Sequence, residues 1–171
     1  MSDHRILVAG LGNLFRGDDA FGSEVARRLP LEQLPSDVIV KDFGTRGYDF
    51  AYALGDGYEW VVIVDAVSRG ADPGTLFVME PQADDLEKLC YDEFSEQSHD
   101  MNPMAAIKLT QAMGRPMPRL ILVGCEPLEL GDDQDGLLGL SDPVAKAIDP
   151  AIQRVVSVLM QLECERERVN G

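Results

Sequence analysis

Two short runs, Ile6-Leu7-Val8-Ala9 and Trp60-Val61-Val62-Ile63-Val64, are apolar at every position, with no alternation between polar and apolar residues. A strand with this pattern must be covered on both faces, as a central strand is in a parallel sheet sandwiched between helices. The first run leads into Gly10-Leu11-Gly12-Asn13 and then Leu14-Phe15-Arg16-Gly17-Asp18-Asp19; the second ends on Asp65. In open α/β sheets ligands bind beyond the carboxyl ends of such strands, so both loops are candidate walls of a crevice.

The rest of the chain fits the same plan. Phe21, Val25 and Leu29 share one helical face within Ala20 to Leu29, and Pro30 ends it. Val38-Ile39-Val40 predicts a second strand, running out into Asp42-Phe43-Gly44-Thr45-Arg46-Gly47, and Tyr48 to Leu54 a short helix. Gly74 to Met79, bounded by Pro73 and Pro81, predicts an edge strand. Between Asp84 and Cys90 the polar chain carries a weak helical signal, and the segment before His99 reads as a functional loop.

Asn102-Pro103 then caps a helix continuing to Gly114, and Arg119 to Cys125 is a further buried strand. Glu126 to Gly139 shows little regular signal; from Ser141-Asp142-Pro143 a last apolar helical stripe begins, with Pro150 expected to interrupt or kink it. No linker or repeat divides the chain. The expectation is an α/β fold, a single three-layer domain over residues 1–171, with a twisted, mostly parallel sheet of about five strands flanked by helices.

With 30 acidic against 15 basic residues, the formal net charge is -15, and the cations are scattered. Such a field repels nucleic acid and favours basic partners. No export signal and no apolar stretch of membrane-spanning length is visible, so the expected location is cytoplasmic, without a membrane partner. Cys90, Cys125 and Cys164 form no C-x-x-C pair and read as reduced thiols.

Two chemistries compete for the crevice. Gly10-x-Gly12 after a strand, with Asp42 ending the next strand, is part of a dinucleotide fingerprint, but Phe15 stands where the third glycine belongs. Asp18 and Asp19 would also oppose a pyrophosphate at a helix N-terminus. The same carboxylates suit a cation. Asp19 and Asp65 follow two strands, and His99 precedes a helix N-terminus, which keeps its imidazole neutral; two carboxylates and one imidazole form a partial shell for a divalent transition metal. Against this, an aspartate in a first helical turn is often only a dipole partner, an aspartate at a strand end can cap a turn, and a lone histidine in a polar loop is often idle.

Gly10-x-Gly12-Asn13 with Asp18-Asp19 and Gly22, then Asp42-x-Gly44-Thr45-x-Gly47, Val61-Val62-Ile63-Val64-Asp65-Ala66 and His99-x-x-Asn102-Pro103 occur in this order from residue 5 to about residue 160. This series resembles the hydrogenase maturation endopeptidases. The resemblance implies a peptidase, aspartic-type by family class, that removes a short C-terminal extension from the precursor of a nickel-iron hydrogenase large subunit after nickel insertion. It implies that Asp19, Asp65 and His99 contact the metal, with Asp19 and Asp65 the catalytic carboxylates and Asp18 a further candidate. Nickel would be carried by the substrate rather than held permanently. The family often has glutamate at the first of these positions, so Asp19 is a shorter equivalent.

Gly44, Thr45, Arg46 and Gly47 are expected to hold the substrate peptide; for Arg46 a bidentate contact to a substrate carboxylate stands beside the equal alternative of a surface arginine with no such role. No Ser-His-Asp arrangement is evident, and no cysteine falls in a matched motif. A carboxylate-assisted attack by water remains, with Asp18 or Asp19 as general base or with the metal activating the water; the residues alone do not choose. A nickel-sensing chaperone that binds the precursor without cutting it is the competing class.

Overall fold

In a computed structural model, residues 5–82, 103–131 and 136–171 are described. Five strands, β1 (Ile6–Leu11), β2 (Val38–Gly44), β3 (Trp60–Ala66), β4 (Leu76–Met79) and β5 (Arg119–Cys125), form one sheet in the order β2-β1-β3-β5-β4. The three pairs from β2–β1 through β3–β5 are parallel, and β4 runs antiparallel to β5, at the edge its flanking prolines predicted. Four α-helices are described: α1 (Phe21–Arg28), α2 (Gly47–Leu54), α3 (Pro103–Ala112) and α4 (Asp142–Asn170).

Strand side chains alternate between faces, and each face has its own core. On one, Ile6, Val8, Val62, Val64, Ile121 and Val123 pack with Phe21 and Val25 of α1 and Val155 and Leu159 of α4. On the other, Leu7, Ala9, Val61, Ile63, Leu120 and Leu122 pack with Phe50 and Leu54 of α2 and Met104 and Ile107 of α3. The three layers follow directly from strands that carry apolar residues at every position, each large side chain contributing about 1.5–3 kcal/mol on burial.

Because β2 and β3 lie on opposite sides of β1, the chain reverses its direction of winding between β1 and β3. A crevice opens at such a switch point, beyond the carboxyl ends of the two strands. Gly10 pairs with Val64, so the chain emerging from β1 runs beside Asp65. Helix α1 is drawn tightly over this point: a β-carbon on Gly22 would lie 2.1 Å from the Val64 carbonyl oxygen and 2.3 Å from that of Leu11. The close helix-to-strand approach missing at Phe15 is therefore made by Gly22, later in the motif.

Of the two outcomes expected at Pro150, an interruption does not occur: helix α4 continues through it to Asn170. Pro150 and Lys146, four residues earlier, both face solvent. The carbonyl deprived of its partner is therefore open to water, while Ile148, Ala151 and Val155 hold the buried side on the sheet. The expected helix between Asp84 and Cys90 lies outside the described residues. No helix among the described residues is long and apolar enough to cross a membrane.

Candidate active site

The loop leaving β1 turns sharply at Gly12, whose φ of 139° lies in the region that favours glycine, and its N–H donates to the Gly44 carbonyl at 3.1 Å. The exits of β1 and β2 are thus joined. Asn13 Oδ1 accepts the Phe15 N–H at 2.9 Å, closing a local turn, and the chain returns through a 3-10 turn, Asp18–Ala20, that packs against β3. Asp19 sits half-buried on this turn, its Oδ2 accepting the Asn13 N–H at 3.0 Å. Asp65, buried at the end of β3, lies on the other side of the switch point. The two expected ligand carboxylates therefore come from the turn after β1 and from the carboxyl end of β3 itself.

Asp18 is differently placed. Its side chain is fully buried; Oδ2 accepts the N–H of Leu128 at 2.8 Å, the N–H of Glu129 at 2.9 Å and the Ser141 hydroxyl at 2.8 Å, and Oδ1 accepts the Ser141 N–H at 2.7 Å. Burial opposes its ionisation, yet the backbone donors of Glu129 and Ser141, the Ser141 hydroxyl and the Leu128 N–H outweigh that and hold its pKa below the ordinary value. The main chain continues the attachment: Gly17 N–H donates to Leu137 O at 2.7 Å, Asp18 N–H to Glu129 O at 3.0 Å and Arg16 Nε to Gly131 O at 3.0 Å.

The glycine loop after β2 carries Gly44 at a φ of 55°, with its N–H donating to Asp42 Oδ1 at 3.0 Å. Asp42 Oδ1 also accepts the Ser23 hydroxyl at 2.7 Å, and Oδ2 accepts Arg27 Nε at 2.9 Å. The carboxylate that would meet a ribose in a nucleotide-binding fold is thus engaged by α1. Arg46 donates from Nη2 to the Asp42 carbonyl at 2.5 Å and from Nε to the Phe43 carbonyl at 3.2 Å, and its Nη1 lies 3.7 Å from Asp49. Thr45 and Gly47 continue the turn into α2. A cavity of about 420 Å³ beside this loop is lined by Lys41, Asp42, Phe43, Arg46, Asp49 and Tyr52 among others.

His99 lies outside the described residues, as does Cys90. Among the described residues no group of three His, Cys, Asp or Glu side chains is arranged to hold a metal ion.

The sequence model of one family, described as hydrogenase maturation protease, matches residues 23–158. The chain belongs to the hydrogenase maturation protease family. It is 29% identical over 161 residues to the hydrogenase 2 maturation protease of Escherichia coli, covering 92% of each protein. It is 34% identical over 156 residues to the hydrogenase expression/formation protein HupD of Rhodobacter capsulatus, covering 91% of this chain and 71% of that one. The solved hydrogenase maturating endopeptidase HybD of E. coli superposes with a TM-score of 0.72 at 27% identity, over 92% of this chain and 93% of that one.

In this hydrogenase maturation protease two supports of the crevice escaped the sequence reading. Glu126, buried just past β5, accepts the Arg69 N–H at 2.6 Å and the Gly70 N–H at 3.3 Å, fixing the loop that follows Asp65. Ser141 was legible only as a helix start, yet its hydroxyl serves Asp18. A buried strand followed at once by glutamate was the available signal for the first; nothing local marked the second. The protease's Cys125 is fully buried, and burial, with the negative charges of Asp18 and Glu126, pushes its thiol up to about 12, which removes it as a nucleophile at neutral pH.

Proposed function

We propose that this protease removes a short C-terminal extension from the precursor of a nickel-iron hydrogenase large subunit once nickel has been inserted, and that Asp19, Asp65 and His99 contact the nickel the precursor carries. The observation that carries the reading is the origin of Asp19 and Asp65 on either side of the β1/β3 switch point, where α/β sheets bind ligands. Anionic oxygens and a neutral imidazole recognise a divalent metal and have no comparable attraction for an empty precursor site. Processing thereby becomes a check on metal insertion.

Peptide hydrolysis needs a water oxygen delivered to the scissile carbonyl carbon, a group that takes the water's proton, and return of a proton to the departing amine. Of the two adjacent carboxylates, Asp18 has both oxygens committed to buried donors and a lowered pKa, which makes it the poorer base. Asp19, half-buried at the crevice, is the base in this reading, with the substrate's nickel as the alternative activator of the water. The Gly44-Thr45-Arg46-Gly47 loop, joined to Gly12, holds the peptide beside them. Since Arg46 already spends two donor positions on carbonyls of β2, it steers the peptide through the remaining face of its guanidinium.

Incubating the protein with nickel-loaded and nickel-free precursor and weighing the large subunit tests the reading. A C-terminal fragment lost only from the loaded form is the expected result; binding without loss of mass would identify a nickel-sensing chaperone instead. Replacing His99 with alanine should abolish the nickel-dependent step while leaving the fold intact.

A further inference from the structure

We propose that Asp18 is a positioning residue that locks the turn bearing Asp19 to the N-terminus of helix α4 and thereby sets where the Asp19 carboxylate points. The inference rests on the reading above in assigning Asp19 to the site. Asp18 and Asp19 are consecutive in a turn of only three residues, so no spare chain separates the anchor from the group it would orient.

The anchor is strong and one-directional. All four hydrogen bonds to Asp18 come from donors, and an ionised carboxylate is the side chain that offers acceptors alone. Its far end is rigid: Ser141 is the N-cap of α4, a helix of 29 residues, and the serine's hydroxyl is turned to Asp18 instead of to the helix's own first amides. A negative charge there also meets the positive end of the helix dipole. On the site side, the Asn13 N–H bound to Asp19 Oδ2 reports where the Asp19 carboxylate lies.

Asp18→Asn in the full chain keeps the shape but presents an amide N–H₂ to donors. Expected are a rise of about tenfold in hydrogen exchange at the Asn13 amide and a fall of about a hundredfold in kcat on nickel-loaded precursor, with KM held within about twofold. Ser141→Ala removes one of the four donors and should give the same pattern more weakly, about threefold in kcat; it carries the test if Asp18→Asn does not fold. A folded Asp18→Asn protein, judged by circular dichroism, with unchanged Asn13 exchange and wild-type kcat overturns the proposal, as does a Ser141→Ala protein unchanged in both if only that variant folds. Should the unaltered protein leave loaded precursor uncut, the peptidase reading falls, and Asn13 exchange alone still decides the positioning role.

Discussion

The α-carbon of Gly12 faces the main-chain carbonyl of Asp19 so closely that a β-carbon on it would lie 1.8 Å from that oxygen. The sharp exit from β1 and the position of the candidate ligand turn are therefore one constraint. Gly12→Ala should lower stability by about 2–4 kcal/mol, combining an unfavourable φ with overpacking against backbone that cannot yield. Urea unfolding measures the loss. Processing should fall further than the folded fraction does, because any relief of the clash moves Asp19.

At position 19 itself, charge and reach separate. Asp19→Asn keeps the shape but removes the anion and should lower nickel-dependent processing by about a hundredfold or more. Asp19→Glu extends the carboxylate by one methylene and keeps its charge, and should retain most of the rate. Equal losses in the two variants would show that the carboxylate's charge is not what the reaction uses. Single-turnover assays on loaded precursor distinguish these outcomes.

Cys125 sets the alkaline limb of stability. Below its ordinary value of 9.0 the thiol is neutral whether the chain is folded or unfolded; above it only the unfolded thiol ionises, because the folded one is pushed up to about 12. Stability is therefore lost as pH rises from 9.0 through about 12, with a slope of at most about 1.4 kcal/mol per pH unit. Tyr58, raised by burial and by the charge of Asp56, acts in the same direction. Cys125→Ala should flatten this limb in thermal melts while leaving processing intact, which also tests the absence of a thiol nucleophile.

Glu126 secures the loop beyond Asp65 from the neighbouring strand. Glu126→Ala leaves the Arg69 and Gly70 amides without their acceptor and should cost about 1–3 kcal/mol. Amide exchange at Arg69 should rise selectively, and an unchanged rate there would assign the support of that loop to other contacts.

The buried strands were legible because burial on both faces leaves an unbroken apolar run, and Arg119–Cys125 emerged with the limits expected of it. Short helices followed from their stripes and stops. Less was readable where contacts are long in sequence. Asp18 and Asp19 carry the same side chain one residue apart, and only the fold reveals that the first turns toward Leu128, Glu129 and Ser141 while the second meets the Asn13 N–H. Glu129, Gly131 and Leu137, in a stretch that looked irregular, are held by hydrogen bonds to the loop after β1, which no local period announces. At Pro150 the reverse holds: the local tendency to interrupt a helix was overridden by the packing of residues on either side.

Asp42 shows what this architecture has given up. In a crevice of this topology a carboxylate ending the second strand is a ready-made hand for a sugar, yet here Ser23, Arg27 and Gly44 already grip it. Stripping Asp18 and Asp19 of charge would not convert the protein into a nucleotide binder, since the first change unfastens the loop from α4 and the second leaves the sugar-facing group still occupied. A redesign toward phosphate would therefore have to rebuild the turn after β1, helix α1 and the exit of β2 together.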